Sequence, residues 1–141
     1  MVHALRRARG LLEGGGFIVD VHPTTERAHL ELFTGTDVIR LAERIDDASP
    51  TGPRQRHAAA DSAVASCVAA GELRQHRDVR FTFHTFADSV DELVTYLSLK
   101  WKQLRFEDAD LARARAALVR MPGATLAVTE RVIASKLSVD V

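Results

Sequence analysis

The sequence predicts a soluble α/β protein, one domain over residues 1–141, in which a sheet is flanked by helices. Two observations predict it. Hydrophobic residues make up 46% and charged residues 27% of the chain, the balance of a globular protein with a real core. Apolar stretches of helical period also alternate with stretches of strand character, the order expected of α/β architecture.

The elements follow in order. Ala4, Leu5, Ala8, Leu11 and Leu12 fall on one helical face, and Gly14-Gly15-Gly16 stops the pattern. Phe17-Ile18-Val19-Asp20-Val21 is a nearly continuous β-branched run ended by His22-Pro23, which reads as a parallel interior strand covered on both faces. Between His29 and Ala42, two short alternating segments around Thr34-Gly35-Thr36-Asp37 predict a hairpin over 29–42. A Ser/Pro/Gly-rich loop is expected at 46–53. Helix formers from Arg54 to Ala70 place Ala60, Val64, Cys67 and Val68 on one stripe, with Gly71 as the stop. Strict alternation through Val79, Phe81, Phe83 and Thr85 predicts a strand over 79–86. Ser89-Val90-Asp91-Glu92 is a capping box, so a helix starts near Val90 with the stripe Val90, Leu93, Val94, Leu97, Trp101 and Leu104. A further helix is expected from Ala109 to Arg120, capped by Asp108, and a last strand from Thr125 to Leu137.

Lysine plus arginine equals aspartate plus glutamate at 19 each, so no net field recruits nucleic acid or an anionic membrane, and neither partner is expected. Arg6, Arg7 and Arg9 read as a solvated helix face. Cys67 is the single cysteine and has no partner for an internal disulfide, which suits a reducing, cytoplasmic setting. No apolar stretch reaches the length of a membrane span, and none follows the N-terminal charges as a signal peptide requires.

The glycine cluster follows a helix and precedes a strand, the reverse of a phosphate-binding loop. His3, His22, His29, His57, His76 and His84 show no metal-binding spacing, so no metal site is expected. A G-x-S-x-G elbow is absent and Cys67 lies on an apolar stripe, so no catalytic residue is assigned. Tyr96 and Trp101 read as core. The site candidates are Asp20 and His22, which point to the same side near the end of their strand and are taken as substrate-proximal. The plainer reading is that Asp20 caps a backbone group and His22 belongs to a turn before Pro23.

The run from Ala4 to Pro23, ALRRARGLLEGGGFIVDVHP, resembles the class I S-adenosylmethionine-dependent methyltransferase segment in which a helix leads through a glycine turn into the fifth strand. Glu13 stands where that family has proline or lysine. The resemblance extends to a final strand, through Leu126 and Val128, that would insert antiparallel beside the fifth. It implies the C-terminal half of a partial Rossmann-like, mixed sheet, with Asp20–Pro23 near a substrate pocket. No residue matches the family's cofactor contacts, so the isolated chain is expected to take no cofactor. The resemblance thus implies a truncated or split methyltransferase, or a non-catalytic association domain. An unrelated α+β interaction module or a small-ligand-binding domain is the alternative. The strand Phe17–Val21 would lack one neighbour, so a homodimer, a missing N-terminal half or the chain's own hairpin should cover it.

Overall fold

The computed structural model describes residues 1–12, 14–45, 52–101 and 105–139. The expected loop at 46–53 therefore falls almost wholly outside the described residues, as does Leu104. The elements run α1 (Val2–Arg9), β1 (Phe17–Pro23), β2 (His29–Phe33), β3 (Val38–Glu43), α2 (Pro53–Ala69), β4 (Arg74–Ala87), α3 (Val90–Lys100), α4 (Asp108–Arg120) and β5 (Thr125–Ser138). Helix α1 ends at Arg9, before the glycines, so Leu11 and Leu12 lie beyond it. Ser89 caps α3 as expected, its hydroxyl accepting from Glu92 N at 3.1 Å, whereas the Glu92 carboxylate accepts from Asp88 N rather than Ser89 N.

The five strands form an open sheet in the order β1-β5-β2-β3, with β4 also pairing to β5. β1 lies antiparallel to the C-terminal part of β5, from Phe17 opposite Ser138 to Pro23 opposite Val132. β2 lies antiparallel to its N-terminal part, from His29 opposite Thr129 to Phe33 opposite Thr125. The expected hairpin is β2–β3, turned through Gly35 at φ +79°, with a register shift between Leu30 and Glu31. It pairs with β5 and not with β1.

The described chain divides into two compact units. Unit 1 comprises residues 1–25, 53–81 and 131–141, and unit 2 comprises 26–52 and 82–130, so β4 and β5 contribute residues to both. In unit 1, α1 and α2 pack Leu5, Ala63, Val64 and Cys67 against Leu73 and Leu137. Ile18 opposes Leu137 and joins this core, so β1 turns Ile18, Asp20 and His22 toward the helices. The alternate row, Phe17, Val19 and Val21, is 55–56% exposed. This corrects the reading of β1 as a parallel interior strand: it is antiparallel, terminal in the sheet order and covered on one face. In unit 2, Leu30, Leu32, Leu126 and Val128 of the sheet pack against Val90, Leu93 and Leu97 of α3 and Ala114 and Ala117 of α4. No helix among the described residues is long and apolar enough to cross a membrane.

Candidate functional site

Asp20 and His22, two apart on β1, do share a face, and the structure joins them. His22 Nδ1 lies 2.7 Å from Asp20 Oδ2. The other ring nitrogen, Nε2, lies 2.9 Å from Asp61 Oδ1 on α2, a residue 39 positions later that no spacing rule would link to β1. The ring is buried, with a side-chain exposure of 10%, against 19% for Asp20 and 49% for Asp61. A carboxylate oxygen can only accept, so both contacts are satisfied when each ring nitrogen carries hydrogen. His22 is therefore a clamp between strand and helix, with both ring nitrogens engaged by carboxylates. Nearby, His57 Nδ1 lies 3.0 Å from the Thr24 carbonyl, a second tie from α2 to the segment after β1.

Other polar groups of unit 1 are similarly engaged. Arg6 forks onto Glu72 through Nε and Nη2 at 2.8–3.1 Å, linking α1 to the turn before β4. That hydrogen bond first, and the charge of Arg6 after it, hold the Glu72 carboxyl below its ordinary range. Ser135 Oγ donates to Asp78 at 2.9 Å. Burial pushes the Cys67 thiol up, which keeps it in the unreactive protonated form.

Unit 2 holds a second constellation that the sequence reading passed over. Glu31, on β2, is 8% exposed, and its Oε2 accepts from Thr129 Oγ1 of β5 at 2.6 Å. A hydroxyl has one proton to give, so Thr129 must accept from its other neighbour, His84 Nδ1 of β4, at 2.9 Å. Hydrogen bonds thus point one way, from His84 through Thr129 to Glu31, and Arg40 Nε lies 3.7 Å from the other carboxylate oxygen. Phe33 meets both His84 and Phe86 edge-on, each at 5.2 Å between ring centres. The sequence signal was a charged residue between two leucines in a five-residue strand, Leu30-Glu31-Leu32. His29 opposes Thr129 on the same side of the sheet. Its Nδ1 is buried without a hydrogen-bond partner, Glu43 being 3.8 Å away, and burial first, then Arg40, holds its pKa down.

No group of three or more histidine, cysteine, aspartate or glutamate side chains suited to a metal occurs among the described residues. What remains open in unit 1 is the outer face of the sheet. Asp78 reaches Ser135, which lies on the helix-covered side between Leu137 and Ile133. Phe17, Val19 and Val21 lie on the opposite side of β1, with Lys136 Nζ 4.5 Å above the Phe17 ring. Comparison with protein-family models, with curated proteins and with solved structures returned no match.

Proposed function

We propose that this chain is an association domain that holds a protein partner along β1. The observation that carries this reading is the row Phe17, Val19 and Val21, more than half exposed on the terminal strand of the sheet. Contiguous apolar surface on a strand with a free edge marks an association surface rather than a solvated one. The polar constellations point the same way, because His22 and Thr129 are spent on internal partners and Cys67 is buried. The test is a photo-crosslinking residue placed at Val21, with Val119, an 81% exposed residue on α4, as the control position. Crosslinked product from position 21 and none from 119 is expected. Equal products from both positions, or none from 21, would overturn the reading.

A second reading is the C-terminal part of a methyltransferase, truncated or split from its cofactor-binding half. It is supported by the order of α1, the glycine turn and β1 within residues 4–23, and by β5 lying antiparallel beside β1. On that reading the missing half would be the partner. Titration of S-adenosylmethionine into the isolated chain should then show weak binding or none, since the cofactor contacts would come from other residues. Micromolar affinity would show that the chain carries a cofactor site of its own.

A further inference from the structure

We infer that His84 presents an open base on the sheet face of unit 2 turned away from α3 and α4, and that this base takes the hydroxyl of a small phenol whose ring lies along Phe86 and Phe33. The inference concerns unit 2 and does not depend on what β1 holds. Leu30, Leu32, Leu126 and Val128 point to the helices, so Glu31, Phe33 and Thr129, each next to one of them along its strand, point to the other face. Arg40 and Val38 of β3 stand opposite Glu31 and Phe33 there. His84 of β4 reaches the same face through its contact with Thr129.

The direction of the hydrogen bonds fixes which nitrogen of His84 is bare. The buried Glu31 carboxylate takes the one proton of Thr129 at 2.6 Å, so Thr129 accepts from His84 Nδ1 at 2.9 Å. In the neutral ring the second nitrogen, Nε2, then carries no hydrogen and offers a lone pair. Nε2 makes no hydrogen bond among the described residues and is not sealed from water. Glu31 and Thr129 are positioning residues: they set the ring's tautomer and angle, and the carboxylate strengthens the bonds in front of it because hydrogen bonds in a chain polarise one another. Arg40 stands 3.7 Å from the other carboxylate oxygen, beyond hydrogen-bond reach, so the Glu31 charge is left to act on the relay. Since Nε2 can only accept, the ligand must bring the proton, and the more acidic hydroxyl of a phenol donates better than that of an aliphatic alcohol. The neighbours set the body of the ligand. Phe86, more than half exposed, has its ring tilted 31° to that of His84 at 5.7 Å, and Phe33 meets both edge-on at 5.2 Å. Val38, opposite Phe33, is also more than half exposed. A flat aromatic ring extends such a cluster by offset or edge contacts while its hydroxyl is directed to Nε2.

The test uses phenol as the probe and anisole, the same ring with a methyl in place of the hydroxyl proton, as its control. Both are titrated into the native chain at about pH 8, above the ordinary range of imidazole and below that of phenol, with long-range 1H–15N correlation spectra reading the histidine rings. His84, assigned by the loss of its signals in His84→Gln, should be the Nδ1–H tautomer, and its Nε2 should shift as phenol binds at about millimolar affinity, the scale for so small a ligand on an open face. Anisole should bind about tenfold more weakly, which is what the missing hydrogen bond is worth. Equal affinities would overturn the choice of a phenol, because ring contacts alone would then account for binding. No binding of either, an Nε2–H tautomer, or shifts at another histidine with His84 unmoved would overturn the site. Thr129→Val should weaken phenol binding several-fold by releasing the tautomer, and Thr129→Ser should restore it. A folded Thr129→Val chain that bound phenol as the native chain does would overturn the relay, and the native-chain measurements stand whether or not that variant folds.

Discussion

If His22 clamps β1 to α2, truncating its three-membered cluster should cost stability in an order set by burial. His22→Ala deprives two carboxylates of their donor at once, and one of them, Asp20, has only 19% of its side chain in water. A hydrogen bond to a charged group contributes about 1.5–3 kcal/mol, and a carboxylate left buried without a donor costs that order again. The Asp61 contact is half in water, where a charged pair is worth about 0.2–1 kcal/mol. The expected losses are therefore about 3 kcal/mol for His22→Ala, about 2 kcal/mol for Asp20→Ala and below about 1 kcal/mol for Asp61→Ala. At roughly 3–4 °C per kcal/mol for a chain of this length, His22→Ala should melt about 10 °C below the native protein. Urea midpoints with an unchanged slope, read beside thermal melts followed by circular dichroism, measure all three. An Asp61→Ala loss as large as that of Asp20→Ala would refute the argument, because solvent screening would then have had no effect. So would a His22→Ala loss under about 1 kcal/mol, which would mean that the ring is no clamp.

The same reasoning extends to unit 2. Thr129→Val removes the hydroxyl that Glu31 depends on and should cost about 1–3 kcal/mol, while Thr129→Ser keeps the donor and most of that stability; equal losses for both would place the cost in packing instead. Ser89→Ala should cost about 1 kcal/mol in the urea midpoint by uncapping α3, and no change would show that Glu92 with Asp88 N suffices alone. Glu130 has its pKa raised, first by burial, with the charge of Arg44 opposing. A carboxyl with a raised folded value stabilises the fold fully below its unfolded value, and that contribution is lost as pH rises through the folded one. Glu130→Gln should therefore gain stability relative to the native chain as pH climbs out of the carboxylate range. Midpoint-against-pH curves for the two proteins that run parallel from acid to neutral pH would refute this.

Much of the fold was legible because local chemistry and tertiary packing agreed. The box Ser89–Glu92 starts α3, and Thr34–Asp37 turns the β2–β3 hairpin. Of the stripe Ala60, Val64, Cys67 and Val68 on α2, the first three are buried and Val68 packs partly buried against the core of unit 1. β1 was misread for a physical reason. Its residues are apolar at four of five positions from Phe17 to Val21, the composition of a strand buried on both faces, yet the polar Asp20 and His22 share parity with Ile18. Two polar residues in the helix-facing row are tolerable only when something across the interface satisfies them, and that something is Asp61, which pattern reading could not supply. The row without polar residues is the one left open. Burial is a property of the partner element as much as of the strand, and a sequence records only the strand.

That inversion also connects the two findings in unit 1. A strand that spends its polar side chains inward and leaves its apolar ones outward lowers stability on both counts unless each face is compensated. Inward, the compensation is complete: Asp20, His22 and Asp61 satisfy one another across β1 and α2. Outward, the Lys136 ammonium lies above the Phe17 ring, and Val19 and Val21 are more than half exposed. The clamp and the open row thus have separable effects. Loss of the clamp should lower the melting temperature with or without a partner, whereas Val19→Lys should act only where a partner is bound. A Val19→Lys variant that lost as much stability in the isolated chain as His22→Ala would show that the outer row belongs to the chain's own core, and that β1 is not free to receive a partner.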